Sequence, residues 1–594
     1  MPWHLDKGRA RGEMGYLPGL DGIRALAVLG VLLYHADLTW LSGGFLGVDV
    51  FFVLSGFLIT SLILEEYDRS GRVSFAKFYL GRARRLLPAL VLMLGAVAIA
   101  IAIVFRDSAA TFRADVIASL FYVNNWWYVI ADQSYFEAIG RPPVLQHLWS
   151  LAVEEQFYLI WPAIAFLVVK RSGRAGVRWL AIALAVLSTA WMLVLSVRNG
   201  YPDAADPSRA YFGTDSHAMG LLIGAALATA WRPGRLSATV TSGARWLITA
   251  VGISALLTVI WFFVFVGEYT PWLYRGGFLA LALVVALLIA MATHPAAPLG
   301  RWMGTQPWRY LGQRSYGLYL WHWPIFMFTR PGLDIPFDGP LLLAFRLGLT
   351  VGIAELSYRY VEMPIRRGAI DRWLHAWRSS TGGAHAALTR KAWLAGGGTV
   401  AAVAVVGVLL ATAPAPSAQE GLAPDVAAAI GIEDGGPTEV TIDGPSPSSA
   451  TRPSGSAPAP RRTRAANGTL SAIGDSVMLG ARSTIYDVIP GSKVDAAVSR
   501  MPGAFVGRVK KLDANDKLAD VVVLHATTNG VLTEDMLRTM LDRLSDYKRV
   551  VVVNAAVPRP WERPNNKVID AVVPDYPNAV IADWNAASAG HREY

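Results

Sequence analysis

Arg24 and His35 lie in one apolar run, GLDGIRALAVLGVLLYH, where an ionisable side chain costs at least about 2.5 kcal/mol at mid-membrane and is retained for a reason. The interval between them is close to three helical turns, so both side chains leave one helix face about 16 Å apart. A ligand with an anionic end and a reactive end matches that spacing. An acyl-CoA is one, with its phosphates on Arg24 and its pantetheine arm carrying the thioester towards His35. The plainer alternative has Arg24 snorkelling to the interface and His35 bonding a neighbouring helix.

A second constellation opens another apolar run, HLWSLAVEEQFYLIWP. His147, Ser150, Glu154 and Tyr158 recur there at helical spacing, with Glu155 beside them, and form a polar stripe that predicts a polar cavity. Two interface glutamates are the plain alternative. Asp49, Asp215, His217, His322, Glu355 and Glu362 are further polar residues in apolar surroundings and read as helix-to-helix contacts. Much later, Ile473-Gly474-Asp475-Ser476 closes a strand pattern and opens a helix, which turns the serine hydroxyl outward beside backbone amides able to hold an oxyanion. Thr527-Thr528-Asn529-Gly530 follows another strand, and the Asn529 side chain can donate to the same oxygen. The histidines are scattered without metal-ligand spacing, so no metal is expected, and the absence of cysteine excludes disulfides and thiolate chemistry.

The elements that must position these groups follow from composition. The chain has 594 residues, 53% hydrophobic, and only 16% are charged, where an average soluble protein has about 25%. That is a polytopic membrane protein. About eleven apolar runs between residues 21 and 412 approach the roughly 20 residues that cross a bilayer, among them 145–169, 178–197, 211–231 and a short 315–330, with 106–144 read as a long loop. Lys and Arg gather in alternate loops: Lys7, Arg9 and Arg11; Arg69 to Arg85; Lys170 to Arg178; Arg232 to Arg245; Arg301 to Arg314; Arg366 to Lys391. The bias puts the N-terminus in the cytoplasm, and an odd number of spans puts the C-terminal part outside. The net charge of +10 is thus a topology signal, and a nucleic-acid partner is rejected. Residues 413–468 are rich in Pro, Ser and Ala and read as an extended tether. From 469, TLSAIGDS, ADVVVLHATTN and RVVVVNAAV read as buried strands of a parallel sheet alternating with helices.

YLPGLDGIRALAVLGVLLYH, GGFLGVDVFFVLSGFLIT, FYLGRARRLLPAL, HLWSLAVEEQFYLIWP and SYGLYLWHWP, in this order, resemble the membrane acyltransferase family 3 over about residues 16–367. The resemblance implies transfer of an acyl group, usually acetyl, from cytoplasmic acyl-CoA to a carbohydrate at or beyond the membrane. The family's arginine and histidine motif falls on Arg24 and His35, and its basic motif on Arg82 and Arg85. His35 is then a general base or a transient acyl carrier, and the residues leave both open. The serine and asparagine blocks resemble the SGNH hydrolase fold over 469–594, as in fused peptidoglycan and lipopolysaccharide O-acetyltransferases.

The resemblance implies this layout: a cytoplasmic N-terminus (1–15), the acyltransferase domain (16–367), a basic segment with a linking helix (368–412), the tether, and a three-layer α/β domain. About ten membrane helices plus the linking one are expected, in the plasma membrane. Two departures stand out. The family's second-block glycine, a backbone oxyanion donor, falls on Ser499. The family's Asp and His three apart have no counterpart after Asn529: Asp583 and His591 are eight apart, and His525 lies in a strand where a base is not expected. The reading is a chain that stops short of the last catalytic loop, or else a degenerate domain that only binds glycan. The expected function is O-acylation of an envelope glycan or glycolipid with acyl-CoA as donor, acetyl-CoA being what the resemblance implies. The alternative is a lipid-linked glycan transporter with an outer glycan-binding module.

Overall fold

The computed structural model describes residues 15–131, 133–136, 141–202, 205–331, 334–412, 470–497, 500–557, 559 and 561–589. The tether, Ser499 and His591 lie outside them. The chain divides into a helical unit, Met1–Pro202 with Asp206–Pro416, and a unit built on Ser417–Tyr594.

The helical unit begins with α1 (Pro18–His35), α2 (Gly47–Ser70), α3 (Phe75–Ile103), α4 (Ala109–Leu120), α5 (Asn124–Ile130) and α6 (Leu148–Asn199). Among the described residues, six helical stretches are long and apolar enough to cross a membrane: Gly44–Ser70, Phe75–Ile103, Leu148–Asn199, Ser242–Phe265, Leu273–Thr293 and Gly339–Arg366. These do not map one to one on the apolar runs. Runs 145–169 and 178–197 lie on either side of a break within α6, in keeping with two spans. Gly173 interrupts it with φ 63° and ψ −169°, a conformation outside the helical region. Run 211–231 is three short helices, Ser208–Phe212, Thr214–His217 and Met219–Ala230. The segment 106–144, expected to be a loop, carries α4 and α5; their short length and the charges of Arg113 and Asp115 hid them.

Two close helix contacts set the frame. A Cβ on Gly56 would lie 1.8 Å from the carbonyl oxygen of Leu221, so α2 and Met219–Ala230 pass backbone against backbone. A Cβ on Gly312 would lie 1.8 Å from the carbonyl oxygen of Asp21, which seats the Trp308–Met327 helix along α1. That second contact brings His322 beside His35.

Asp49 and His217, expected to be a helix contact, are one. His217 is buried, with Nδ1 2.7 Å from the carbonyl oxygen of Tyr211 and Nε2 2.8 Å from Asp49 Oδ1. Both ring nitrogens face oxygens, so a proton lies on each line and the Asp49–His217 pair shares the second. Trp149 stacks on the imidazole at 5.9 Å. Asp215 and Glu355 are taken up in ion pairs, with Arg209 and with Arg314 and Arg359.

The other unit is a five-stranded parallel sheet in the order β2-β1-β3-β4-β5, from β1 (Ser471–Gly474), β2 (Lys493–Ala496), β3 (Val521–His525), β4 (Arg549–Val553) and β5 (Ala579–Ala582). Ile473, Val522, Leu524, Val550 and Val552 enter its core with Phe505, Leu537 and Ile569 from the covering helices. The order reverses between β1 and β3, and in open α/β sheets the crevice beyond the strand ends at such a point is where ligands bind.

Removing one partner of a buried hydrogen bond leaves the other unsatisfied at a cost of about 1–3 kcal/mol, more where that group is charged. His217→Ala is therefore expected to lower the heat-unfolding midpoint in detergent markedly, and Asp49→Asn, whose amide oxygen still accepts, to lower it less.

Candidate active site

Arginines from four separate segments meet at one end of the helical unit. Arg24 of α1, Arg82 and Arg85 of α3, Arg309, and Arg366 with Arg367 line a cavity of about 270 Å³, with Asp21 and Glu362 as its acids. Arg24 stands 3.6 Å from Asp21. Such a surplus of guanidinium suits phosphate, which takes bidentate donation from arginine. A narrower chamber of about 80 Å³ shares Arg24, Leu58, Arg82, Arg85, Ser315 and Tyr316 with the first. Its own walls are apolar at Phe51, Phe52 and Leu86 and polar at Ser55, Glu154, Glu155, Ser150 and Tyr319.

Of the stripe expected on α6, Ser150, Glu154 and Tyr158, with Glu155, face this chamber, whereas His147 does not line it and turns to the Leu320 carbonyl. Glu154 accepts from Ser55 Oγ at 3.0 Å and from Tyr158 Oη at 3.1 Å. The Arg82 guanidinium lies 4.6 Å above the Tyr158 ring, a cation–π contact that fixes its height in the cavity. Ser150 Oγ lies 2.6 Å from Tyr319 Oη, which also donates to the carbonyl of His147 at 2.7 Å. Arg24, Arg82, Arg85, Glu154, Glu155 and Tyr158 thus converge.

His35 is not a wall of either chamber. It ends α1, with Nδ1 2.9 Å from His322 Nε2 and Nε2 3.3 Å from Tyr135 Oη. Trp323 packs against its ring at 4.7 Å. His322 Nδ1 in turn is 2.5 Å from the Tyr319 carbonyl oxygen, so Tyr319 stands between the chamber and the histidines. His147, at the start of α6, donates from Nε2 to the Leu320 carbonyl at 3.1 Å, and its Nδ1 is buried without a partner among the described residues. Sequence reasoning placed His322 among structural contacts and did not single out Tyr135, Tyr319 or Ser55. The nearest signal was the position of Tyr319 one helical turn before His322.

In the α/β unit, Ser476 starts a short helix (Ser476–Gly480) directly after β1, and Asp475 caps it by accepting from Val477 N at 3.1 Å. Gly474 pairs with His525 across β1 and β3, so the serine and the Thr527–Gly530 loop leave neighbouring strand ends. Asn565 holds that loop: its Nδ2 donates to the carbonyls of Thr527 at 3.0 Å and Gly530 at 2.9 Å. Gly530 has φ 102°, and a Cβ there would meet Met501 Cε at 2.8 Å. Asn529 is fully buried, and among the described residues neither its Nδ2 nor its Oδ1 has a partner, which leaves the amide able to donate to an oxyanion.

His525 closes β3 with Nδ1 3.5 Å from Asp475 Oδ1. Asp583 accepts from Asn554 Nδ2 at 2.8 Å and from Ala586 N at 2.9 Å, bonds that hold its carboxyl below the usual range. Among the described residues Ser476 has no hydrogen-bonded histidine.

A family model described as an acyltransferase domain matches residues 17–359. The peptidoglycan O-acetyltransferase OatA of Listeria monocytogenes is 35% identical over 617 residues, covering 99% of this chain and 96% of that protein. YrhL of Bacillus subtilis is 33% identical, covering 98% and 94%. A solved structure, the C-terminal catalytic domain of Streptococcus pneumoniae OatA with a methylsulfonyl adduct, aligns at 23% identity over 22% of this chain and 75% of that one, with a TM-score of 0.20.

Burial holds the His525 imidazole below its ordinary range, while Asp475 pulls it the other way. The folded unit keeps the ring neutral, whereas the unfolded chain takes up a proton below about pH 6.5. The unfolded state then binds more protons, so stability is lost as pH falls through that value. Exchange protection of the β1 and β3 amides in the full chain is expected to weaken between about pH 6.5 and 5, and His525→Gln to flatten that slope.

Proposed function

This chain belongs to the acyltransferase-domain family, and we propose that its reaction carries an acetyl group from cytoplasmic acetyl-CoA to a hydroxyl of peptidoglycan. It is a membrane O-acetyltransferase; the donor, the acceptor and the residue roles are the proposal. The observation that carries it is the pair of chambers that share Arg24, Arg82 and Arg85, the wider one lined by further arginines and the smaller one by Phe51, Phe52 and Leu86 together with Ser55, Glu154 and Glu155. A nucleotide with several phosphates and a long uncharged arm has that profile. The basic segments of the wide chamber, with Arg82, Arg85, Arg366 and Arg367, are those that the charge bias assigns to the cytoplasm.

His35 takes the proton of an incoming hydroxyl as its oxygen attacks the thioester carbonyl. The C–O bond forms, the C–S bond breaks, and the proton passes to the CoA sulfur. That first hydroxyl belongs to a carrier: Ser476 Oγ attacks the carrier ester, its C–O bond breaks and the carrier hydroxyl takes back a proton. A glycan hydroxyl then attacks the Ser476 acetyl ester and restores the serine hydroxyl, with the Asn529 amide donating to the oxyanion in both steps. His525 is engaged with Asp475, so among the described residues none is placed as the base for Ser476.

Thiol release from labelled acetyl-CoA by the full chain in lipid tests this. Loss of a general base costs about 10²–10⁴-fold, the fall expected for His35→Ala. Arg24→Gln removes a charged hydrogen bond worth about 1.5–3 kcal/mol and is expected to raise KM for acetyl-CoA about tenfold or more. Ser476→Ala is expected to keep thiol release while abolishing acetylated glycan. Thiol release by His35→Ala at the wild-type rate overturns the reading and favours a glycan transporter.

A further inference from the structure

We infer that His322 is a positioning residue for His35, fixing the tautomer of that imidazole so that Nε2 is the atom that takes the proton. The inference rests on the reading of His35 as the base of acyl transfer. It starts from a carbonyl oxygen, which can only accept. The Tyr319 carbonyl lies 2.5 Å from His322 Nδ1, so that nitrogen carries a hydrogen. A neutral imidazole then has its lone pair on Nε2. His322 Nε2 faces His35 Nδ1 at 2.9 Å, and two lone pairs do not face each other at that distance, so His35 Nδ1 donates. The lone pair of His35 is left on Nε2, where Tyr135 Oη stands 3.3 Å away and can donate to it.

The same helix orders a third imidazole. Pro324 has no N–H, so the Leu320 carbonyl, four residues earlier, lacks its helical donor. His147 Nε2 supplies one at 3.1 Å, and the lone pair of His147 is left on Nδ1. Two main-chain carbonyls of one helix thus set the proton positions of His322 and His147, and His322 sets that of His35. A histidine pair kept only for packing needs no such direction, and no carbonyl at its far end.

The consequence appears in the transfer itself. When Nε2 takes the hydroxyl proton, His35 becomes an imidazolium, and its Nδ1–H bond to His322 becomes charge-assisted and stronger. When the C–S bond breaks, Nε2 gives the proton to the CoA sulfur, and the chain of donors returns to its starting state. His322 exchanges no proton at any point. Without it, His35 is free to carry its hydrogen on Nε2, where it cannot act as a base.

The test compares His322→Leu, His322→Gln and His35→Ala in the full chain in lipid, measuring kcat and KM for acetyl-CoA by thiol release. His322→Leu offers no acceptor and is expected to lower kcat by about 10²-fold, the scale of a general-base contribution, with KM within about twofold of wild type. His322→Gln places an amide oxygen near the lost nitrogen and is expected to recover at least about tenfold of that loss, which filling the space with leucine does not. A wild-type kcat for His322→Leu while His35→Ala is inactive overturns the inference and leaves the reading of His35 intact. A glutamine variant that folds yet is no better than leucine also overturns it. If His35→Ala is fully active, the reading itself fails. Nitrogen-15 NMR of histidine-labelled wild type needs no folded variant at His322: His35 is expected to show a protonated Nδ1 and a bare Nε2, and the opposite tautomer overturns the inference.

Discussion

Water cannot serve as the partner of last resort inside the helical unit, so each hydrogen-bonding group there must be met by another group of the same chain. That constraint arranges the unit. His217 is answered by Asp49 and the Tyr211 carbonyl, Glu154 by Ser55 and Tyr158, and Arg346 by the main chain of Phe326 and Thr329. Arg141 lies with Asp334 at 2.9 Å. Among the described residues several buried atoms still lack such a partner, Asp49 Oδ2, Asp115 Oδ2 and Thr350 Oγ1 among them, and one of these, His147 Nδ1, belongs to the three-histidine cluster. In a membrane protein the unsatisfied atom is more informative than the satisfied one, because leaving it so is costly.

The α/β unit meets a different constraint. A parallel sheet brings its chemistry to the strand ends, and the reversal of order between β1 and β3 leaves a crevice that loops must border without closing. Asn565 spends its whole amide on main-chain atoms of the Thr527–Leu532 stretch: two carbonyls and the Leu532 N–H at 2.9 Å. Trp561 Nε1 adds a bond to the Thr528 carbonyl at 2.9 Å. With the main chain held in this way, the Asn529 side chain is free of structural duty. Asp475 is the reverse case: buried, capping the helix of Ser476 and facing His525, it supports the turn on which the serine sits.

Much of this was legible in the residues. The stripe of His147, Ser150, Glu154 and Tyr158 was visible because helical periodicity is local, and the structure turns Ser150, Glu154 and Tyr158 into one chamber. The strand-end positions of Ser476 and Asn529 followed from short buried strands bounded by turns. What was hidden is long-range. His35 and His322 are 287 residues apart, and no spacing rule couples them. Arg366 and Arg367 were read only as charges that set orientation, though they also line the wide chamber. The break at Gly173 was legible, since it falls between the runs 145–169 and 178–197, in the interval of Lys170, Arg171, Arg174 and Arg178 read as a basic loop; only its shortness was hidden.

Proline in a membrane helix is usually explained by the kink it makes, yet at Pro324 the carbonyl it frees does more than the bend. A helix has no spare acceptors in its interior, since each carbonyl is taken by the N–H four residues on. A side chain needing a fixed acceptor there must compete with that N–H or find one missing. His322 shares a carbonyl one turn back on its own helix, and His147 takes the one Pro324 vacates. A backbone carbonyl cannot rotate, ionise or donate, so it orients an imidazole as a carboxylate does but without burying a charge. That distinction matters beside a cavity whose walls already hold several arginines and two glutamates, where another carboxylate would compete for the guanidinium groups meant for the donor.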